Sequence, residues 1–361
     1  MRILIAVCLL VIITPCIAVS RGAALFLQLN TSAYESAFGR RAGAANIWNI
    51  GPVECLNNPA KLGYVGEGAS WGFSHSNWMD FSDIGLSSSY VAYSWNGIGI
   101  MLPSLNADGH WGKSLDYGEM SATGEQGQEL GTINPYESGS TFGVGVNLLQ
   151  FLANVRQDRH LGDFSKIYEL SIGYQYTYVI TDWDRDGVFP DAQEADGAHV
   201  NNLGLLARWT PLGDTPDSDE PLEFEFTGAY FTLNPFDSEV KYSEGQDWPI
   251  VSAEYISFAA QLRVPNRLGI LPDYCQNLIS ATAMADMCDE DSYNTSTSGW
   301  GVTLLDILSF RFGDEWGWGV NLNYRDIVQC QYNWAQIDAG ELTDHNELWD
   351  ISVRVNLLEL L

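Results

Sequence analysis

Regular alternation of apolar with small or polar residues is the feature that most constrains how this chain folds. In residues 169–179 one parity carries Leu, Ile and three Tyr, while the other carries Glu, Ser, Gly, Gln and Thr. Successive side chains of a strand point to opposite faces, so such a segment has one apolar face and one polar face. Residues 142–148, 316–324 and 349–357 repeat the pattern. The chain is therefore predicted to be all-β.

The strongest turn signal is Asn96-Gly97, which lies between two apolar runs. Asn-Gly favours the two-residue type I′ turn of a β-hairpin. Pairing across that turn places Trp95 beside Ile98 and extends one apolar face over both strands. Antiparallel hairpins are therefore the predicted repeating unit.

A soluble β-sandwich also alternates, so strand length and aromatic placement must separate it from a membrane barrel. Several segments run roughly 9 to 11 residues, the span of a tilted strand across a bilayer, and Trp and Tyr lie near their ends. An antiparallel transmembrane β-barrel of about 14 strands is predicted over residues 69–361. The predicted strands begin near Ser70, Ser87, Ile98, Leu115, Thr141, Tyr168, Val200, Leu222, Val251, Ser298, Leu308, Trp316, Val328 and Glu347.

The first 20 residues have the pattern of a secretory signal peptide. Arg2 precedes an apolar run over residues 3–13, and Ala18 and Ser20 offer small residues for cleavage. Cys16 suggests a lipoprotein instead, but the residues before it are not the small ones that a lipobox needs. A signal peptide over residues 1–20 and export to the bacterial outer membrane are predicted.

Residues 21–68 lack strand alternation and are predicted to form a small N-terminal hatch or plug. They are rich in Gly and Ala, and Asn58, Pro59 and Ala60 mark a turn. Residues 37–45 and 54–62 resemble the long-chain fatty acid transporter (FadL) superfamily of outer-membrane barrels, most closely its PorV-like branch.

In that superfamily a glycine follows Asn-Pro-Ala, and here Lys61 stands in its place. The likeness extends to residues 72–84, 115–119 and 308–313. It implies a non-enzymatic 14-stranded barrel with a hatch, which transports hydrophobic small molecules across the outer membrane. The PorV-like branch implies an alternative, a type IX secretion shuttle that binds C-terminal signal domains of secreted proteins. A structural or adhesive surface barrel is a third interpretation.

Charge and histidine placement exclude other classes of function. A formal net charge of −29 excludes a nucleic-acid binder, which needs clustered Lys and Arg. Of five histidines, only His75, in the segment Ser74-His75-Ser76, has a local candidate partner for catalysis. No second partner can be placed beside it, so no enzymatic activity is predicted. The outer surface of the barrel is expected to contact outer-membrane lipid.

One acidic segment suggests a cofactor. Asp182, Asp184 and Asp186 alternate before Gly187, and Asp191 follows. Alternating carboxylates before a glycine suit calcium, but Asp and Gly are also ordinary turn residues, and both interpretations stay open. The strand count above assigns this loop to the periplasmic side.

Two cysteines are candidates for a disulfide. Cys275 and Cys288 fall in or beside residues 268–287, which are predicted to be one long loop with apolar residues among polar ones. Export to an oxidising compartment would allow them to bond, and a pair of thiols is the alternative.

Overall fold

The computed structural model describes fourteen stretches of the chain, and all structural statements below concern them. They are residues 24–38, 44–77, 84–123, 128–157, 159–182, 195–212, 222–242, 247–266, 272, 275–290, 293–314, 317–325, 327–339 and 342–355. The signal peptide predicted over residues 1–20 lies outside them and stays a prediction.

The described strands are numbered in chain order. They are β1 (Gly68–Asn77), β2 (Gly85–Trp95), β3 (Ile98–Pro103), β4 (Lys113–Asp116), β5 (Met120–Thr123), β6 (Glu129–Ile133), β7 (Tyr136–Asn147), β8 (Tyr168–Asp182), β9 (Ala195–Asp196), β10 (Ala198–Leu212), β11 (Glu223–Leu233), β12 (Glu239–Tyr242), β13 (Asp247–Pro249), β14 (Ala253–Pro265), β15 (Asn277–Glu290), β16 (Tyr293–Leu304), β17 (Leu308–Gly313), β18 (Trp318–Tyr324), β19 (Val328–Ala339) and β20 (Leu342–Val355).

The main sheet closes on itself into a 14-position antiparallel barrel. β1 pairs with both β2 and β20, which joins the first strand to the last. β3 and β4 each pair with β2 and with β7, so together they fill one position. Strands β5–β6 and β9, β12 and β13 form two small separate sheets. The predicted all-β, 14-stranded barrel is confirmed.

Alternation determines which side of the wall each residue faces. In β8, Ile172 and Tyr174 are exposed on the outer surface, whereas Ser171, Gln175 and Thr177 are buried inside the barrel. The outside is therefore apolar, and the inside is lined by small and polar residues. No helix in the described ranges is both long enough and apolar enough to cross a bilayer.

Two errors in the strand prediction cancelled each other. The strand predicted near Leu115 is β4, which continues the position of β3 after residues 104–112 leave the wall. Conversely, residues 277–290, predicted as part of a loop, form the full-length strand β15. Its outward positions include Ala281, Ala283 and Ala285, so its alternation is weak in sequence. The prediction of a loop over residues 277–287 was therefore wrong.

These corrections move the Asp182 segment to the other end of the barrel. β1 begins and β20 ends beside the Asn96-Gly97 turn. Short turns lie on the periplasmic side of such barrels, so we assign that end to the periplasm. β8 ends with Asp182 at the opposite, extracellular end. The predicted periplasmic placement was wrong because Leu115 had been counted as a separate crossing.

Of the two alternatives for Cys275 and Cys288, the structure has the pair of free thiols. Cys275 precedes β15, and Cys288 lies near its far end, with both side chains buried. An extended strand rises about 3.3 Å per residue, so the eleven steps from Asn277 to Cys288 span roughly 36 Å. The two steps from Cys275 to Asn277 cannot bring Cys275 within the roughly 7 Å allowed between the Cα atoms of a disulfide.

Short helices form the N-terminal segment inside the barrel. The described residues 24–38 and 44–67, called the hatch below, contain α1 (Ala33–Ser36) and three 3₁₀ helices, Leu25–Gln28, Glu54–Asn57 and Pro59–Tyr64. Phe26, Phe38 and Leu62 are fully buried. Two further helices, α2 (Leu148–Arg156) and α3 (Arg159–Ile167), connect β7 to β8.

Candidate functional site in the barrel lumen

The Asn58-Pro59-Ala60 turn begins the last helix of the hatch. The Asn58 Oδ1 atom accepts a hydrogen bond from the Ala60 amide at 3.0 Å, and Asn58 Nδ2 donates to the Ala44 carbonyl at 3.0 Å. Pro59 occupies the first helical position, where no amide donor is needed. All three residues are fully buried, so the turn is a fixed part of the lumen rather than a surface loop.

A row of wall glycines receives this turn. Gly99, Gly145, Gly173 and Gly204 are direct neighbours in register across β3, β7, β8 and β10. We call them the glycine row. A Cβ atom at either Gly145 or Gly173 would lie 2.5 Å from the Pro59 carbonyl oxygen. Since real contacts of that length do not occur, only glycine lets the hatch backbone approach the wall here.

A second group of glycines holds the opposite side of the hatch. A Cβ atom at Gly299 would lie 2.6 Å from the Phe38 Cα atom, and one at Gly319 would lie 2.6 Å from the Ala37 Cβ atom. Gly313 pairs with Gly299 in register and contacts the same residues. Several strands separate β16–β18 from the glycine row in both directions around the barrel. The hatch therefore spans the lumen from wall to wall.

A buried ion pair lies within the hatch. Lys61 Nζ lies 2.5 Å from Glu35 Oε1, and neither side chain is exposed to solvent. Asn46 Nδ2 also donates to Glu35 at 3.2 Å, and Asn57 Nδ2 donates to its other oxygen. Burial raises the pKa of Glu35 to about 7, while the Lys61 charge and the hydrogen bonds from Lys61 and Asn57 act in the opposite direction.

Polar contacts tie the helix α1 end of the hatch to the wall. Asp350 Oδ2 accepts a hydrogen bond from the Ala33 amide at 2.7 Å. The Arg311 guanidinium lies 4.3 Å from the centre of the Tyr34 ring, a cation–π distance. Burial raises the pKa of Tyr34 to about 12, so this phenol stays neutral.

Another set of contacts ties the middle of the hatch to β11. Trp48 Nε1 donates to Glu225 Oε1 at 2.8 Å, and Thr227 Oγ1 donates to the Ala45 carbonyl at 2.7 Å. Arg263 Nη2 lies 3.2 Å from Glu225 Oε2, which balances the buried carboxylate. The hatch is therefore anchored at three sectors of the wall by both close packing and hydrogen bonds.

A cavity with about 40 Å³ of free space, enough for a few water molecules, lies between the hatch and the wall. It reaches the extracellular half of the lumen, since Leu233 ends β11 and Tyr255 lies near the start of β14. Its lining mixes apolar with polar side chains: Leu27, Gln28, Asn30, Ala44, Leu56, Asn57, Lys113, Thr141, Gln175, Thr177, Asn202, Phe231, Leu233 and Tyr255.

Lys113 fixes the first residues of the hatch beside this cavity. Its Nζ atom donates to the Leu29 carbonyl at 2.5 Å and to the Leu27 carbonyl at 3.4 Å. The Lys113 side chain therefore fixes the backbone of the first hatch residues against the wall.

The predicted calcium ligands are only partly described. Asp182 is the last residue of β8, whereas Asp184, Asp186 and Asp191 lie outside the described residues. Among the residues that the structure describes, no group of three or more His, Cys, Asp or Glu side chains is arranged to hold a metal. The calcium loop stays a prediction.

The Ser74-His75-Ser76 segment does not assemble a catalytic group. His75 faces outward, where its Nδ1 atom lies 2.8 Å from Ser87 Oγ and its ring lies 5.8 Å from that of Trp349. Ser74 and Ser76 are buried on the luminal side. Alternation thus places the histidine and its neighbouring hydroxyls on opposite sides of the wall.

The sequence pointed to Asn58, Pro59 and Ala60 but not to their partners. The signal for the glycine row was present, because each of its glycines takes the inward parity of its own strand. Lys61 was seen only as a departure from the Asn-Pro-Ala-Gly pattern. Its partner Glu35 lies 26 positions away, and nothing local links the two.

A closed, even-numbered antiparallel barrel with an apolar exterior and a polar interior is the fold of bacterial outer-membrane proteins, and here its lumen holds a hatch. No protein-family model matches this chain, and no curated protein matches its sequence.

Similar solved structures include a TodX deltaS2S3 mutant monoaromatic hydrocarbon channel, with 8% identity over 90% of this chain and 98% of that chain and a TM-score of 0.45. The toluene transporter TodX of P. putida has 9% identity over 88% and 98%, with a TM-score of 0.41. The translocator domain of the autotransporter NalP from Neisseria meningitidis has 12% identity over 81% and 91%, with a TM-score of 0.33. These proteins share a barrel architecture with this chain, and nothing about its function follows from them.

Proposed function

We propose that this barrel passes hydrophobic small molecules across the outer membrane and that the hatch closes the passage between transport events. The observation that carries the proposal is the cavity between the hatch and the wall, which is lined by residues of both. Its free space of about 40 Å³ is too small for such a ligand while the hatch stays docked, so passage requires the hatch to move.

The lining of the cavity supports an amphiphilic or hydrophobic ligand. Leu27, Leu56, Phe231 and Leu233 supply apolar surface, and nearby amide and hydroxyl groups supply a few fixed polar contacts. The hatch lies between this cavity and the periplasmic end, because the glycine row it contacts includes Gly99, one residue into β3 after the periplasmic Asn96-Gly97 turn. A ligand that enters from the extracellular side would therefore pass only when the hatch moves.

Filling the cavity tests the proposal. Thr177 is buried on the luminal face and lines the cavity, with its Oγ1 atom 2.9 Å from that of Thr141. Thr177→Trp is expected to lower the initial uptake of a radiolabelled long-chain fatty acid or monoaromatic hydrocarbon about tenfold, equivalent to about 1.4 kcal/mol. Uptake is measured in cells with a lipopolysaccharide outer membrane, which slows unaided entry of both tracers.

The matched control is Tyr178→Trp, which changes the adjacent residue on the lipid-facing side. It should leave uptake unchanged. Heat-modifiable gel migration verifies that both variants fold. Equal uptake by the wild type and a folded Thr177→Trp variant would contradict a transport role for this cavity.

The resemblance of residues 37–45 and 54–62 to the PorV-like branch supports a second proposal, a shuttle for secreted proteins that binds their C-terminal signal domains. This alternative predicts no tracer uptake by the wild type and retention of such a domain by the reconstituted barrel. A structural or adhesive surface barrel predicts neither result.

We also propose that Asp182, Asp184 and Asp186, with Asp191, bind calcium. Close carboxylates repel one another, and a bound cation offsets that repulsion and orders the segment. Asp184→Asn is expected to weaken calcium binding at least about tenfold, since affinity in such loops follows the number of charged ligands. The measurement is calcium-dependent protection of residues 180–196 from proteolysis in the refolded barrel.

Asp217→Asn is the control, because Asp217 belongs to an acidic segment without alternate spacing before a glycine. If both variants respond to calcium alike, or calcium gives no protection, the segment is an ordinary acidic turn.

A further inference from the structure

The periplasmic connection between β7 and β8 is a pair of helices, α2 and α3, rather than a tight turn. The Asn147 Oδ1 atom caps α2 by accepting from the Gln150 amide at 3.2 Å. Asn154 Nδ2 donates to Asn96 Oδ1 at 3.3 Å, which places α2 against the turn between β2 and β3. We call α2 and α3 the helical hairpin, and it lies at the periplasmic rim.

Helix α2 carries an apolar stripe that the protein covers only in part. Leu148, Phe151, Leu152 and Val155 follow the i, i+3, i+4, i+7 spacing of one helix face. Such a face normally packs against a protein core, yet Val155 is 64% exposed and Leu152 is 37% exposed.

Helix α3 joins this stripe to the lipid-facing surface of the barrel. Phe164 is 48% exposed, and its ring lies 5.0 Å from that of Tyr168. Tyr168 is the first residue of β8, points outward and pairs across the sheet with the exposed Trp209. Aromatic residues at this height form the interfacial belt of a membrane barrel. The apolar surface of the hairpin is therefore continuous with the belt that contacts lipid.

The charge of the hairpin differs in sign from that of the whole chain. The chain has a formal net charge of −29, whereas residues 148–167 hold three basic and two acidic residues. Arg156 and Lys166 lie in the last turns of α2 and α3 and are exposed. Exposed basic side chains beside an apolar stripe are typical of helices that lie at a phospholipid surface.

From these observations we propose that the helical hairpin lies in the headgroup region of the periplasmic leaflet, with Leu152, Val155 and Phe164 inserted among acyl chains. Its partner is phospholipid rather than a periplasmic protein. Continuity with the aromatic belt decides between them, because a protein partner on this face would also have to displace the lipid that contacts Tyr168.

Spin labels at single cysteines test the depth of the hairpin. The background is Cys8→Ser, Cys16→Ser and Cys330→Ser, since Cys330 is exposed on the wall and the first two lie outside the described residues. Cys55, Cys275 and Cys288 are buried. Labels replace Val155 and Phe164 in the full-length barrel reconstituted in vesicles of phosphatidylethanolamine and phosphatidylglycerol. Power saturation then compares collisions with oxygen, which concentrates in the bilayer, and with a water-soluble nickel chelate.

The matched control is Asp163→Cys. Asp163 is next to Phe164 in the chain, and its own side chain is 75% exposed. Labels at 155 and 164 are expected to favour oxygen several-fold over the nickel chelate, and the label at 163 should favour the chelate. Arg156→Glu should move the label at 155 toward water by removing attraction to the lipid phosphates. If labels at 155 and 164 are as accessible to nickel as the label at 163 in protein of normal heat-modifiable migration, the face lies in water and the proposal is overturned.

Discussion

Lys61→Met is expected to release the hatch from its docked position at pH 8 while the barrel stays closed. Lys61 and Glu35 are both fully buried, and the lysine supplies the nearest positive charge to that carboxyl group. Removing one partner of a buried pair costs about 3–5 kcal/mol, because the remaining charge has neither water nor a counter-ion. Hydrogen exchange at residues 24–38 and 44–67 should rise, with β-strand amides unchanged.

The effect should depend on pH. Burial raises the pKa of Glu35 from 4.5 to about 7, so the docked hatch holds a proton more tightly than a released one. The contribution of Glu35 to docking is therefore most favourable below about pH 4.5, and it weakens as the pH rises to about 7, by roughly 3 kcal/mol in total. The Lys61 charge lowers the pKa of Glu35 and so stabilises its ionised form. Loss of Lys61 should therefore weaken docking of the hatch most above pH 7 and least near pH 5, where Glu35 is protonated.

Two further variants separate charge from packing. Glu35→Gln in the Lys61→Met background removes the orphaned charge and should restore most of the protection at pH 8. Lys166→Met is the matched control, since its pair with Asp163 is exposed and such pairs contribute at most about 1 kcal/mol. The interpretation fails if Lys61→Met and Lys166→Met exchange alike at pH 8.

Gly173→Ala is expected to displace the hatch and raise the ionic conductance of the barrel in planar bilayers. The new methyl group would meet backbone atoms of Pro59 and Ala60, including the Pro59 oxygen at 2.5 Å. Overpacking costs about 1–3 kcal/mol and more where rigid backbone must move. Since about 1.4 kcal/mol is tenfold, the ratio of docked to undocked hatch should fall between about fivefold and more than a hundredfold.

Gly228→Ala is the control for this substitution. Gly228 also lies in a wall strand, but its Cβ would meet only the Phe258 ring, at an ordinary 3.7 Å. Conductance should match the wild type. Equal conductance of the two variants would show that the glycine row does not hold the hatch.

Several features could be predicted from sequence because they are properties of single strands or turns. The alternation in residues 169–179 indicates which face of the strand contacts lipid. The Asn58 cap involves only the amide of Ala60, two positions later. β15 was missed because alanines on its outer face and Met284 and Cys288 on its inner face blur that contrast. β3 and β4 were counted as two strands because residues 104–112, which separate them, cannot be distinguished in sequence from a loop between two neighbouring strands.

The sequence by itself determined the all-β barrel and its apolar and polar faces, since both follow from local periodicity. Only the tertiary structure decided at which end Asp182 lies, that Cys275 and Cys288 are far apart, that four glycines form one row, and that Lys61 meets Glu35. The physical reason is that a strand's pattern specifies its faces but not its partners. Register and closure bring together residues as distant in sequence as Ala33 and Asp350, and those contacts fix the hatch.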